Sequence, residues 1–519
     1  MKFKGMILFA FLCLQTAVAQ DEVIYHVFQR SFFDADNDGQ GDLNGINQKL
    51  DYLQDLGVTS VLLTPLYVSD FYHNYFAQDF EKIDPEYGTM KNYLDLVREV
   101  HKRKMKIYQD VEMQYVAGTH PWFMDSFGNP KSVFSEYLLY DDAENKKPVY
   151  FYSVPEFTLY DNSKQQIAVV NMKSEKVKAY TEKVLQYWID PNNDGKFDDG
   201  VDGFRLDHMM DNLDNMNRLT NLFADFWTPV LTGLRAVNPK IKIIAEQANW
   251  ASYGHDYLTD GSVDEVFAFR LAFAIPKFDK AEIEKAADST FNYNPKGKNQ
   301  LVFLENHDTN RFASHDDMTL AKAKAAAAIQ LLIGGIPSIY YGQEIGMKGK
   351  HEQFGTNDGN DIPVREAFDW YASDGKGMPL WYKDTGVWWD KRNQMPNDGI
   401  SLEEQKNDPK SLWNFYKGIL RWRSSNLGFT AGSYRKVIND NPYVLTFSRA
   451  NYIVVVNFSG QPQLFEIGEN HLGEVVYGKS DFQNENGKKK ISAYGIMIVK
   501  SEVKSTKKSN FTGSHKKVK

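Results

Sequence analysis

Apolar runs and helical stretches alternate along most of the chain. Val23 to Gln29 reads as a first strand, and Ile46 to Leu56 as an amphipathic helix stopped at Gly57. Val58 to Thr64 is almost continuously apolar, as expected of a parallel strand buried on both faces. Met90 to Arg103 has helical period, and Lys106 to Asp110 reads as a third strand. From Val111 to about Met172 the rhythm breaks: no long helical period, many aromatics and polar turns. It resumes with a helix at Ser174 to Ile189, a strand ending at Asp207 and a helix near Leu213 to Val237. A strand ending at Glu246, another at Val263 to Phe269 and one reaching Asp308 follow. An Ala-rich helix at Leu320 to Leu332 and a strand at Ile336 to Tyr341 close the series. Eight strands alternating with helices predict β/α repeats around a parallel sheet. A Gly- and Trp-rich loop, Gly342 to Pro409, precedes a last helix at Ser411 to Arg423. After Gly428 the texture turns to short alternating runs such as Tyr452-Ile-Val-Val-Val, which predict a small antiparallel β domain ending near Lys500.

Three of the strands carry acids. In Val201-Asp-Gly-Phe-Arg-Leu-Asp207, period-2 alternation points Arg205 and Asp207 the same way. That spacing suits either a structural ion pair or a carboxylate kept ionised as a nucleophile. Ile241-Lys-Ile-Ile-Ala-Glu246 ends in a second acid, and Leu301-Val-Phe-Leu-Glu-Asn-His-Asp308 in a third. Three strands in chain order, each delivering an acid at its C-terminal end, is the placement an eight-stranded TIM barrel uses for catalysis.

These three stretches, with Ile83-Asp-Pro-Glu-Tyr-Gly-Thr89 and Gly335-Ile-Pro-Ser-Ile-Tyr-Tyr-Gly-Gln-Glu344, resemble the α-amylase family of glycoside hydrolases (family 13). The resemblance implies a (β/α)8 barrel over 20–110 and 173–428, with 111–172 as a domain inserted after the third strand. It also implies roles: Asp207 as nucleophile, Glu246 as acid and then base, and Asp308 as the acid that stabilises the transition state. Arg205 would orient Asp207, and His307 would bind the same sugar ring. Tyr75 stands where the family stacks a tyrosine on the sugar, although mere packing is the alternative, and Phe76 replaces a frequent Asp. Arg365, in Asp361-Ile-Pro-Val-Arg365, either lines the cleft or pairs with an acid. Two departures stand out. Asp110-Val-Glu-Met-Gln-Tyr115 has Gln114 and Tyr115 where relatives have Asn-His, so a tyrosine hydroxyl replaces a sugar-binding imidazole. His208-Met-Met-Asp211 lacks the Lys-His pair of many α-amylases.

Two loops have the spacing of a calcium-binding turn. Asp34, Asp36, Asp38 and Asp42 fall at positions 1, 3, 5 and 9, with Gly39 at 6 and the Gln40 carbonyl at 7. Asp190, Asn192, Asp194, Lys196 (through its carbonyl) and Asp198 repeat the pattern, with Asp199 as an alternative last ligand. The first also resembles the calcium loop of the family's oligo-glucosidase branch. The alternative for both is an Asx-rich turn without an ion.

Composition refines this picture modestly. The chain has 519 residues and aromatics at 14%, suited to sugar platforms and core filling alike. Lys2 and Lys4, the apolar run Met6 to Leu14 and Ala17-Val-Ala19 predict a secretion signal over 1–19, hence a periplasmic or secreted protein. That run is too short to span a bilayer. Cys13 invites a lipid anchor, but Leu12 precedes it where a small residue is expected. Cys13 is the only cysteine, so no disulfide staples the mature chain. Net charge is −8 although the tail 501–519, read as disordered, has six lysines and one glutamate. An acidic body argues against nucleic acid as partner. The expected function is retaining hydrolysis of α-1,4 bonds in starch-derived glucans or maltooligosaccharides. An α-glucan transglycosylase using the same acids, and a glucan-binding barrel without turnover, stand as alternatives.

Overall fold

A computed structural model describes residues 21–467, 472–485 and 488–501. The expected signal 1–19, with Cys13, and the basic tail beyond Ser501 lie outside the described residues.

Eight parallel strands close into a barrel: β1 (Ile24–Val27), β2 (Ser60–Leu63), β3 (Lys106–Val111), β4 (Gly203–Met209), β5 (Lys242–Gln247), β6 (Glu265–Phe267), β7 (Asn299–Val302) and β8 (Ile336–Tyr340), with β1 paired to both β2 and β8. Helices α1 (Leu43–Leu56), α2 (Met90–Lys102), α3 (Glu175–Ile189), α4 (Thr228–Val237), α5 (His255–Thr259), α6 (Lys280–Asn292), α7 (Leu320–Leu332) and α8 (Leu412–Ser425) follow the strands in turn. Alternation along the strands sorts the apolar side chains into two cores. Ile24, Leu62, Tyr108, Ile244, Phe267, Leu301 and Ile336 form one buried cluster, one residue from each of seven strands. Val27, Val61, Ile107, Phe204, Ile243, Val266 and Val302 join the larger cluster with the helices. The missing strand is β4, whose in-register partner of Tyr108 is Gly203. A Cβ at Gly203 would overlap the carbonyl of Lys242 and the Tyr108 ring. Glycine there lets β3, β4 and β5 close up beneath Arg205.

Local signals set the helix ends. Asp42 caps α1 by accepting from Gly45 N, and Gly57 ends it in the left-handed region at φ 107°. Thr89 and Asn92 form a capping box on α2. The Ala-rich α7 is buried from Ala325 to Leu332, because it packs against α8 and also against the strand Tyr452–Asn457. A helix covered on both sides needs no polar face.

Three stretches differ from the sequence expectation. The helix expected from Leu213 begins only at Phe223, with a π turn over Phe223–Trp227 leading into α4. Asp214, Asn215, Asn217 and Asn221 hold positive φ before it, as these side chains allow. Pro229, with no N–H to give, sits where the π turn becomes α. The strand expected at Val263 to Phe269 is shortened to Glu265–Phe267, and Phe269 already opens a helix. The mixed four-stranded sheet beside the barrel mouth draws on more than 111–172. Its order is Tyr67–Ser69, Ala77–Ile83, Tyr115–Ala117 and Ile167–Val169, so half its strands come from the β2–α2 connection. At the C-terminus, a five-stranded and a three-stranded antiparallel sheet occupy residues 434–501. Among the described residues no helix is long and apolar enough to cross a membrane.

Gly203→Ala is expected to destabilise the fold by about 1–3 kcal/mol through overpacking. Gly418→Ala, inside α8 with no atom near the added methyl, should stabilise it by about 0.5–1 kcal/mol. Denaturant midpoints of the two variants should therefore move in opposite directions.

Candidate active site

β4 carries the centre of the site. Arg205 is fully buried, and its Nη1 donates to both oxygens of Asp110 on β3, at 2.9 and 2.8 Å, and to Asp207 Oδ1. Arg205 pairs in register with Asp110, which is why the two meet. Arg205 Nη2 lies 3.0 Å from Glu246 Oε2 on β5, a charge contact rather than an aligned hydrogen bond. One guanidinium therefore faces three carboxyl groups from three adjacent strands. Beyond Leu206 the β4–β5 register shifts, and His208 takes φ 45°. That bulge places His208 N 3.3 Å from Glu246 Oε2.

Asp308 arrives differently. β7 ends at Val302, so Asp308 is held by the turn beyond the strand, not by the strand itself. Glu305 anchors that turn by accepting from Phe312 N and pairing with Arg311 at 3.0 Å. Asp308 is contacted by His307 Nε2 at 3.0 Å and Arg365 Nη2 at 3.1 Å. Arg365 also donates to the His307 carbonyl at 3.0 Å and to Tyr72 Oη at 2.8 Å. Tyr75 stacks on His307, with ring centroids 5.2 Å apart, and its hydroxyl donates to Asp110 at 2.7 Å.

The acids differ electrostatically. Burial first, then the nearby Asp207 and Asp308 charges, push Glu246 well above the usual carboxylate range, against the pull of Arg205. Burial also pushes on Asp308, but His307, Arg365 and Arg205 outweigh it and hold that acid well below its ordinary value. Burial lowers His307, which fits a neutral ring donating its Nε2 proton to Tyr75 Oη at 2.6 Å, with Asp308 Oδ2 3.0 Å away.

Asp207, Glu246, Asp308, Tyr75, His307 and Arg365 converge on one cavity of about 420 Å³, within the size range of small-ligand sites. Arg205 lies beneath it. Tyr115 also lines the cavity, but its hydroxyl is committed to Asp214 Oδ1 at 2.7 Å, an oxygen that His208 Nε2 shares at 2.9 Å. It is thus not the free sugar-facing donor that the sequence suggests. Gln114 donates to the Asp207 and His208 carbonyls at 2.7 and 2.9 Å, pinning the bulge. Sequence reading missed Glu112 and Trp250. The Trp250 indole reaches Glu246 Oε1 at 3.3 Å, and both residues line the cavity. Trp250 follows Glu246 by one turn's length of chain, which was the available signal.

The two candidate ion loops lie apart from this cavity. Carboxylate oxygens of Asp34, Asp36 and Asp42 fall within 4.8 Å of one another in the β1–α1 loop, on the same barrel face. Asp38 is exposed and outside that trio, and the Gln40 side chain is taken by Arg30. The second loop joins α3 to β4 on the opposite face. There Asp190 accepts from Asp194 N and Gly195 N, Asn192 from Asp194 N, and Asp194 from Lys196 N. The Lys196 ammonium contacts Asp194 at 3.1 Å, and Asp198 is exposed. Asp199 is half-buried, and Asp190 to Asp199 form no acidic trio of the first loop's kind among the described residues. Asx turns hold this loop, as they hold the first, where Asn37 N and Gly39 N donate to Asp34, Asp38 N to Asp36 and Gln40 N to Asp38.

Comparison with known proteins agrees with the barrel. Residues 26–432 match the model of the α-amylase catalytic domain. The chain is 28% identical to "Alpha-amylase 3" of Dictyoglomus thermophilum, covering 93% of each. It is 25% identical to an "Oligo-1,6-glucosidase" of Parageobacillus thermoglucosidasius, over 86% of this chain and 92% of that one. Among solved structures, the α-amylase from H. orenii superposes with a TM-score of 0.77 at 25% identity, covering 93% of this chain and 100% of the other. With an eight-stranded barrel, acids gathered at its mouth and a family match over most of its length, the chain belongs to the α-amylase family of glycoside hydrolases.

Proposed function

We propose that the protein cleaves α-1,4-glucosidic bonds of starch-derived glucans or maltooligosaccharides with retention of configuration. The observation that carries this is the pairing of Asp207 and Glu246 on one guanidinium under opposite constraints. Asp207 has an aligned bond from Arg205, whereas Glu246 has only the charge contact and is biased toward its neutral form. Both carboxyls contact the same guanidinium from neighbouring strands, the close pairing that a retaining mechanism uses.

Asp207 attacks the anomeric carbon while Glu246 gives its proton to the departing oxygen, forming a glycosyl ester and a free sugar hydroxyl. Glu246, now ionised, takes a proton from an incoming water, whose oxygen displaces Asp207 and restores both acids. Asp308, held ionised by Arg365, supports positive charge on the ring in each transition state. Tyr75 and His307 form a flat wall for the ring. A sugar hydroxyl in place of water gives transfer instead. The charged, polarised acids argue against a barrel that only binds glucan, since binding alone gives no reason to keep a buried acid protonated.

Calcium at Asp34, Asp36 and Asp42 is part of this proposal. Three carboxylates converging with only oxygen donors suit a hard cation, and Asp42 would tie it to the start of α1. The ion would brace the loop, apart from the chemistry. Export through the N-terminal segment is proposed from the sequence alone.

Asp207→Asn and Glu246→Gln should each lower the release of reducing sugar from maltooligosaccharides at least ~100-fold, with unchanged circular dichroism. A variant near the wild-type rate would refute its assigned role. Hydrolysis predicts only products shorter than the substrate, whereas longer ones in chromatographic profiles would mean transfer. Because Glu246 must hold a proton and its pKa is raised, kcat/KM should fall as pH rises through that value, and Glu246→Gln should lose this limb. Chelation should lower the melting temperature of the wild type but not of Asp34→Asn, and equal responses would count against the ion site.

A further inference from the structure

Where β4 ends against the cavity, three residues from separate stretches meet with left-handed backbone: His208 at φ 45°, Asp214 at φ 51° and Tyr152 at φ 45°. Aspartate tolerates that conformation, but for a tyrosine it is an outlier, and such residues gather where a ligand is gripped. The His208 and Tyr152 rings stand edge to face, with centroids 6.2 Å apart, and both line the cavity. Tyr152 is 60% exposed there, so packing does not explain the conformation it holds.

The His208 imidazole is fixed in direction. Gln114 holds the His208 carbonyl at 2.9 Å, and His208 Nε2 lies 2.9 Å from Asp214 Oδ1. Tyr115 Oη donates to the same Asp214 oxygen at 2.7 Å. A carboxylate only accepts, so the imidazole proton sits on Nε2, and Nδ1 of the neutral ring is an acceptor. Nδ1 has no hydrogen-bond partner among the described residues and is not sealed from solvent. His208 N lies 3.3 Å from Glu246 Oε2, which puts the residue on the Glu246 side of the cavity.

We propose that His208 is a specificity-determining residue that accepts, at Nδ1, a hydrogen bond from a hydroxyl of the sugar that leaves. The inference rests on the reading of Glu246 as the acid, because the departing oxygen and its ring must then lie against that carboxyl. Tyr152 offers the same ring an aromatic face. Asp214 acts through His208, by setting which nitrogen carries the proton. An incoming sugar enters the second half-reaction through the place the first sugar left, so one contact serves both.

The test compares maltotriose with α-maltosyl fluoride in the full chain. Both present a maltosyl unit to Asp207, but one releases glucose and the other only fluoride. A contact to the leaving sugar is therefore felt with maltotriose and not with the fluoride. In His208→Gln the amide nitrogen can still donate to Asp214, while no acceptor replaces Nδ1. Its kcat/KM ratio, maltotriose over maltosyl fluoride, should fall about two- to tenfold, the worth of one neutral hydrogen bond. His208→Asn suits the left-handed backbone and puts an acceptor oxygen near the place of Nδ1, so its ratio should stay nearer wild type. A merely structural role through Asp214 gives the reverse order. An unmoved ratio in folded His208→Gln, or a fall in His208→Asn as large or larger, overturns the inference. If the glutamine variant does not fold, His208→Phe, which also lacks the acceptor, takes its place in the same comparison. Failure of the parent reading looks different, with wild type cleaving neither substrate or Glu246→Gln keeping its rate on maltotriose.

Discussion

The buried charge of Arg205 is the constraint around which the barrel mouth is arranged. A guanidinium with no exposed surface needs compensating partners. Asp110 supplies two aligned bonds from one neighbouring strand, Asp207 another from its own, and Glu246 a looser contact from the other side. Geometry follows from this need. The strands must be in register for Arg205 to reach Asp110, and Gly203 must be small for them to approach. Removing the cation would leave buried carboxylates facing each other.

The same cation explains how similar side chains acquire different chemistry within one cavity. Only one guanidinium serves three acids, so the acid with the poorest contact takes up a proton most readily. Asp308 escapes that competition because it has its own arginine, Arg365, fixed through Tyr72 and the His307 carbonyl. Distribution of arginines, more than distribution of acids, decides which group stays charged.

Much of this was legible in the sequence, and the gaps have physical causes. Strand and helix order followed from apolar periodicity, and α7 was read at its observed bounds. Arg205, Asp207 and Glu246 lay on strands whose alternation aims side chains predictably. Asp308 lay past its strand, placed by Glu305 and Arg311, and periodicity carries no information about such a turn. The stretch before α4 was misread because Asn and Asp side chains reward left-handed turns over helix, although nearby leucines and phenylalanines suggest helical period. Tyr115 was placed at the cavity but not its hydroxyl, since Asp214 reaches it across a long loop. Glu112 carried no sequence signal, because its place at the cavity depends on residues that other strands bring there.

The burial of α7 bears on how the chain is partitioned. Its alanines meet the barrel on one side and the C-terminal strands on the other. A barrel severed after α8 would therefore present a greasy cylinder to solvent along the former seam. What looks like an appended module is the outer half of a shared interior, and evolution could exchange its loops far more freely than discard it.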